Sequence, residues 1–268
     1  MTTAVAEGRR EDRAAVDKAI SLLLSFGDGQ AAELGVSELA RRADLSKSTA
    51  HRVLGLLERN GVVERVGTAY RLGNQLHRLG RSVYPAAHDQ IRDLLIPHVA
   101  ELYERTHETV HLAAMHGVDV VYLAKLYGSR QVKSPSRIGG RVPAHCTAVG
   151  QAMMAHDGQA AALVMAGELQ AWTPTTITDP AALAARLHVV RSRGVAIDDQ
   201  EAQPGLSCVA GAVLGADGRP VAAMSVSVAA GRTDPRIHEQ ALRSVCAEAT
   251  RTVARAARVR GPVPARSA

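Results

Sequence analysis

Between residues 36 and 72 the spacing of apolar positions changes period. Val36, Leu39, Ala40 and Ala43 recur at helical spacing, and Ala50, Val53, Leu54 and Leu57 form a second stripe of the same kind. Two short helices are therefore expected around a turn at Asp44-Leu45, the first capped by Ser37 ahead of Glu38 and the second by Ser46, ending near Asn60-Gly61. Residues 62–66 and 69–72 are then β-rich halves on either side of Gly67-Thr68, the pattern of a hairpin. Upstream, residues 15–26 read as an amphipathic helix whose Val16, Ala19, Ile20, Leu23 and Leu24 would complete a three-helix core. The glycine-bearing stretch 27–35 reads as a loop, and residues 1–12 as a disordered, charged lead-in.

Beyond the hairpin, Leu76, Leu79 and Val83 predict a linker helix within 74–88, with Asn74 as its cap and Pro85 closing it. From residue 89 the pattern becomes that of an α+β domain reaching residue 260. A helix bearing Ile91, Leu94, Leu95, Val99 and Leu102, kinked at Pro97, leads into a hairpin formed by 109–115 and 118–126. A Gly-, Ser- and Pro-rich loop over 134–143 opens into a helix at 147–155 capped by Thr147. Asp179-Pro180 starts another helix, which ends at Gly194. Strands are expected at 195–197, 207–214 and 220–228, then a last helix from Pro235 to about Arg258 and a frayed tail at 261–268.

The chain has 268 residues, 46% of them hydrophobic, enough for about two domains. Its net charge of +6 is concentrated: from Arg41 to Arg81 there are nine Lys/Arg against three Asp/Glu. Such a basic segment favours the phosphate backbone, while an aromatic content of 3% speaks against a base-stacking single-strand binder. Duplex DNA is the expected partner. Lys47, Ser48, Thr49, His51 and Arg52 lie on the polar side of the second helix, in the turns that a helix-turn-helix presents to the major groove, and Arg65 and Arg71 on the hairpin would flank the backbone as a wing does.

Cys146, Cys208 and Cys246 are too far apart for a disulfide framework or a zinc knuckle. With no secretory core at the start and no stretch near the ~18 apolar residues of a membrane helix, a cytoplasmic protein without membrane contact is expected. Residues 107–111 spell HExxH, a zinc-hydrolase signature that works only on a helix. Thr109 and Val110 favour a strand, where the two histidines would lie about 13 Å apart. His145-Cys146 as a nucleophile pair lacks an acid partner, so an enzyme is not the expectation.

The segments SKSTAHRVLGLLERNGVVER, ETVHLA, PAHCTAVGQAMMA, DDQEAQPGLSCVAGAV and PVAAMSVSV, in that order, resemble the IclR family of bacterial transcriptional regulators over about residues 14–258. The resemblance implies an N-terminal winged helix-turn-helix, a linker helix and a C-terminal GAF-like effector-binding domain, assembled as dimers or tetramers on palindromic operators. It implies no cofactor. It also implies an effector pocket at Val142, Ala148, Val149, Asp198, Cys208, Ser225 and Ser227. Independently, Ser225 and Ser227 would share one face of a strand, and the amides of Ala148 and Val149 at a helix start suit an anion, so a small organic acid is the expected effector. The rival reading is a DNA-bound interaction protein that holds no ligand.

Overall fold

The computed structural model describes residues 14–27, 33–80, 83–129 and 134–260, so the expected lead-in and tail, and two residues of the expected linker, lie outside the described residues. The chain divides into two units, residues 1–86 and 87–268.

The first unit contains α1 (Ala15–Leu24), β1 (Leu34–Gly35), α2 (Val36–Arg42), α3 (Lys47–Arg59), β2 (Val63–Val66), β3 (Ala69–Leu72) and α4 (Asn74–Gly80). Asp44 turns the chain between α2 and α3 in a left-handed conformation, φ +53°, and Leu45 is buried behind it. Ser46 caps α3 by accepting the Thr49 amide at 3.2 Å. Gly61 (φ +67°) ends that helix with the positive φ that glycine adopts without steric cost. The wing is a three-stranded sheet, β1-β3-β2, because Leu34 and Gly35 pair with Tyr70 and Ala69.

Three expectations need correction here. The N-cap of α2 is Gly35, and Ser37 lies inside the helix without capping it. The core face of α1 is Leu22 with Ala19 and Leu23, continued by Phe26; Val16, Ile20 and Leu24 point outward, 73%, 50% and 73% exposed. The helix α4 begins at Asn74 itself and stops at Gly80, so Val83 lies beyond it.

The second unit opens with α5 (Ala86–Thr106), which starts ahead of the expected residue 89 and contains Pro97 within its span. Then come β4 (Thr109–His116), β5 (Asp119–Leu126), β6 (Arg141–Pro143), a 3-10 turn (Ala144–Cys146), α6 (Ala148–Met154), α7 (Gly158–Met165), α8 (Pro180–Arg193), β7 (Ala196–Asp199), β8 (Leu206–Leu214), β9 (Pro220–Ala229) and α9 (Glu239–Arg260). The expected caps operate: Thr147 accepts the Gly150 amide, and the Asp179 carboxylate accepts the amides of Ala181 and Ala182. Asp157 caps α7, a helix the apolar pattern did not mark.

Six strands form one antiparallel sheet in the order β6-β5-β4-β9-β8-β7. Side chains alternate across it. Cys208 and Ala210 join the buried cluster around α6 and α8, whereas Gly211 faces α9, where an added Cβ would stand 3.0 Å from Cys246 Sγ. The sheet therefore carries helices on both faces, in keeping with the expected GAF-like fold. No helix among the described residues is long and apolar enough to cross a membrane.

Candidate nucleic-acid interface and effector cavity

On α3 the residues opposite Ala50, Val53 and Leu54 are polar. Lys47, Ser48, His51 and Arg52 are exposed, and Thr49 is half-buried with its hydroxyl 2.9 Å from Ser46 Oγ. The first two turns thus present an ammonium, a hydroxyl, an imidazole and a guanidinium on one side. The wing arginines separate. Arg65 is the cross-strand partner of Tyr70, and Arg71 that of Glu64, so they occupy opposite faces of the hairpin. Arg71 is also engaged: its guanidinium meets the Glu64 carboxylate at 2.7 Å and holds that carboxyl below its usual range. Likewise Arg41 and Arg42 both bond Glu38, keeping its carboxyl at about 2. Part of the positive charge counted from sequence is therefore internally paired.

In the second unit, two neighbouring rows of residues cross the sheet on the face toward α6. One row is Lys125 on β5, His111 on β4 and Ser225 on β9, successive partners in the ladder. The next is Thr109 on β4, Ser227 on β9, Cys208 on β8 and Asp198 on β7. These rows are two residues apart along each strand, so their side chains share a face. From these rows His111, Ser225, Ser227, Cys208 and Asp198, with Tyr122, Ser134, Pro135 and Ala148 and Val149 at the start of α6, line a cavity, while Lys125 and Thr109 lie outside its lining. Its free space is about 10 Å³, on the order of one water.

The groups on this floor bond to each other. His111 Nε2 lies 2.7 Å from Ser136 Oγ, and its Nδ1 lies 3.5 Å from Ser225 Oγ and 3.4 Å from Ser227 Oγ. Ser227 Oγ is 3.1 Å from Cys208 Sγ. Asp198 accepts the Glu201 amide at 2.7 Å, and the Glu201 carboxylate in turn accepts from Gln151 on α6 and Arg186 on α8. Burial, helped by the Lys125 charge, holds the His111 imidazole down at about 3. Burial pushes the Asp198 carboxyl up to about 7 despite the Glu201 amide, and it raises the Cys208 thiol and the Tyr122 phenol as well. Desolvation of the charged form is the common cause. At neutral pH the floor is hydrogen-bonding, with His111 neutral, Asp198 between its protonated and ionised forms, and Lys125 at one margin.

Six of the seven residues implied for the pocket meet around this cavity. Val142 does not line it: it is buried in β6 opposite Val120 and contributes to packing. His111 was not among the seven, nor were Tyr122 and Thr147. His111 carried one visible signal, a histidine within the apolar alternation of 109–115, but its place opposite Ser225 depends on a pairing between distant strands.

The two enzyme motifs dissolve in the structure. His107 stands in a left-handed turn, φ +54°, after α5, while His111 is inside β4, so no helix presents both. His145 Nε2 bonds the Gln170 carbonyl at 3.0 Å, and the Cys146 thiol, turned to the Pro143 carbonyl, is pushed by burial up to about 12. A thiol so far from its thiolate is a poor nucleophile.

The same division into units emerges from comparison with known proteins. The helix-turn-helix model of the IclR family matches residues 15–67, and the model of the bacterial transcriptional regulator IclR C-terminal domain matches residues 86–256. The chain is 34% identical over 223 residues to the HTH-type transcriptional regulator XynR of Escherichia coli, covering 82% of this chain and 87% of that one. It is 31% identical over 216 residues to the transcriptional repressor IclR of the same organism, covering 77% of each. Among solved structures, the Thermotoga maritima IclR shares the fold with a TM-score of 0.73 at 29% identity, over 89% of this chain and 98% of that one. An IclR homolog from Microbacterium hydrocarbonoxydans, complexed with 4-hydroxybenzoate, gives 0.69 at 25% identity, over 91% and 100%. The wing, the capped recognition helix, the helix-flanked sheet and these matches agree: the chain belongs to the IclR family of bacterial transcriptional regulators and is a DNA-binding regulator, not an enzyme.

Proposed function

We propose that the second unit senses a small organic acid and that its occupancy modulates how the first unit binds a palindromic operator. The observation carrying this reading is the convergence of His111, Asp198, Ser225 and Ser227, all buried, on one cavity in the core of the second unit. Buried polar groups gathered in a concavity are what a ligand site requires, and a core that only packed would do better without them. The 4-hydroxybenzoate in the Microbacterium homolog fits the same class of ligand.

On the DNA side, Lys47, Ser48, Thr49, His51 and Arg52 read base edges in the major groove, and Arg65 and Arg71 hold the backbone from the two faces of the wing. A palindrome needs a symmetric pair of reading helices. The outward stripe of Val16, Ile20 and Leu24 on α1, with Leu79 on α4 also exposed, supports self-association into a dimer or a pair of dimers. Its DNA partner puts the protein in the cytoplasm. An acid that favours one arrangement of the assembly over another changes operator affinity by the difference in its affinity for the two.

Footprinting the protein on genomic DNA, then titrating organic acids into the bound complex, tests the reading. An acid that shifts operator affinity, with the response weakened by Ser225→Ala or Asp198→Asn while basal operator binding persists, is the expected result. Loss of preference for any fragment over random competitor would refute the DNA half. A response indifferent to both substitutions would refute the pocket.

A further inference from the structure

A second concavity, about 450 Å³ in volume, lies outside the sheet, between α8, the outer edge of β7 and the start of α9. It shares no lining residue with the buried cavity, because Ile197 and Asp199 alternate with Asp198 along β7 and face the other way. β7 is the last strand of the sheet, so among the described residues no further strand covers this edge. Val189, Val190, Val195 and Ile197 supply the apolar part of the groove. Its charged part is balanced: Arg186, Arg193 and Arg236 stand against Asp199, Glu201 and Glu239.

Most of these charges already have a partner. Arg186 holds the Glu201 carboxylate at 3.0 Å and the Ile197 carbonyl at 3.1 Å, and Gln151 on α6 holds the same carboxylate from the inner side at 2.8 Å. Arg236, in the 3-10 turn Pro235–His238, meets Asp234 at 3.4 Å, and Glu239 meets Arg243 at 3.5 Å. Two charges of the lining are left over, one of each sign. The Arg193 guanidinium is exposed and bonds to nothing among the described residues. Asp199 is exposed too, and its carboxylate accepts only from a neutral group, the Ser207 hydroxyl at 2.8 Å.

From this we propose that the groove binds an elongated zwitterion, its carboxylate on Arg193, its ammonium on Asp199 and an apolar chain between them over the three valines and Ile197. The site is separate from the buried cavity and does not rest on acid sensing there. Charge selects the class of ligand. A plain anion would satisfy Arg193 and meet Asp199 as a like charge, and a plain cation would do the reverse, whereas a ligand with both charges answers both anchors and leaves the lining neutral. Length follows from the backbone. Arg193 ends α8, and from Val195 to Asp199 the chain rises four residues, roughly 13 Å, so the two charged groups must sit several bonds apart. An α-amino acid, with both charges on one carbon, is too short. The volume is that of a small-molecule site.

The test is calorimetric titration of the full-length protein with 6-aminohexanoate, beside glycine and two singly charged relatives, 6-acetamidohexanoate and 6-aminohexanamide. The long zwitterion should bind about tenfold or more tightly than each of the three, the factor expected for losing one hydrogen-bonded charge contact. Arg193→Gln should bring 6-aminohexanoate down to the level of 6-aminohexanamide, and Asp199→Asn should bring it down to that of 6-acetamidohexanoate. Both side chains are exposed, so neither substitution disturbs the core. Failure of 6-aminohexanoate to bind at millimolar concentration would overturn the proposal, as would equal affinity for glycine or for either singly charged relative. Binding that Ser225→Ala abolishes while Arg193→Gln and Asp199→Asn leave it intact would place the ligand in the buried cavity and overturn the groove as its site.

Discussion

His111 and Ser225 stand 114 positions apart in the chain and face each other across the β4–β9 ladder, with Nδ1 and Oγ separated by 3.5 Å. That pairing is the hinge between the two halves of the sheet, because β4 and β5 form one hairpin and β8 and β9 another. Each hairpin alone holds only part of the polar floor: His111 and Lys125 come with the first, Cys208, Ser225 and Ser227 with the second. The cavity exists only once the long-range ladder has closed, so the site and the centre of the domain form together.

Two buried groups on this floor give stability opposite dependences on pH. The folded-state value of Asp198, about 7, lies above its ordinary 3.8, so the folded chain binds the proton more tightly, and stability falls as pH rises between those values. His111 is held at about 3 against 6.5, so the unfolded chain binds its proton more tightly, and stability falls as pH drops through that window. Between about pH 4 and 6.5 the two slopes oppose each other. In Asp198→Asn only the histidine slope should remain, with stability rising to about pH 6.5 and then level. Above pH 7 this variant should exceed the wild type by on the order of 3 kcal/mol. Urea unfolding followed by Trp172, the single tryptophan and a residue of the second unit, measures it; an unchanged profile would remove Asp198 as a titrating group.

Much of the fold was legible because its signals are local. Thr147 and Asp179-Pro180 cap the helices they were expected to cap, and the alternation over 109–126 is the hairpin it resembled. What could not be read depends on partners. The helix α1 has apolar residues around most of its circumference, so the choice of Leu22 and Phe26 over Val16, Ile20 and Leu24 is made by α2 and α3, not by its own period. Two-residue β1 is too short to carry any period. His111 came to notice only as half of a metal motif, and nothing near it in sequence announces Ser225 as its neighbour. Val142 was carried over by resemblance alone, and its strand turns it toward packing.

Arg52 is exposed on the second turn of α3, and the proposed reading gives it a base edge to contact. Arg52→Ala should cost about 1–3 kcal/mol in operator affinity and relax the preference at one base pair, whereas a phosphate contact would weaken all sequences alike. Competition binding with single-base operator variants separates the two, and unchanged affinity with unchanged preference would take Arg52 out of the interface.

On the wing, Glu64 both neutralises Arg71 and brings a carboxylate toward any phosphate that Arg71 would contact. Glu64→Gln should therefore strengthen DNA binding at low salt and steepen its salt dependence, as the released guanidinium takes up a phosphate and expels a counterion. Affinity measured across a salt series reads this directly. Weaker binding would mean that the ion pair itself shapes the wing for docking.

Gly150 offers the sharpest stability test of the cavity's scaffold. It lies in the first turn of α6, its amide bonded to Thr147 Oγ1, and a Cβ there would stand 2.2 Å from the Ala144 carbonyl oxygen and 2.6 Å from Ala144 Cα. Both obstacles are backbone, so relief requires moving α6 away from the 3-10 turn that precedes it, although all seven residues of that helix are buried. Gly150→Ala should destabilise the second unit by about 1–3 kcal/mol or more, as overpacking in a filled core does. Gly158→Ala is the control: it opens α7, where a Cβ meets nothing within 4 Å, and should alter stability by only about 0.5 kcal/mol. If Trp172 fluorescence reports the same urea midpoint for both variants, the close approach of α6 to Ala144 is not what seats the cavity wall.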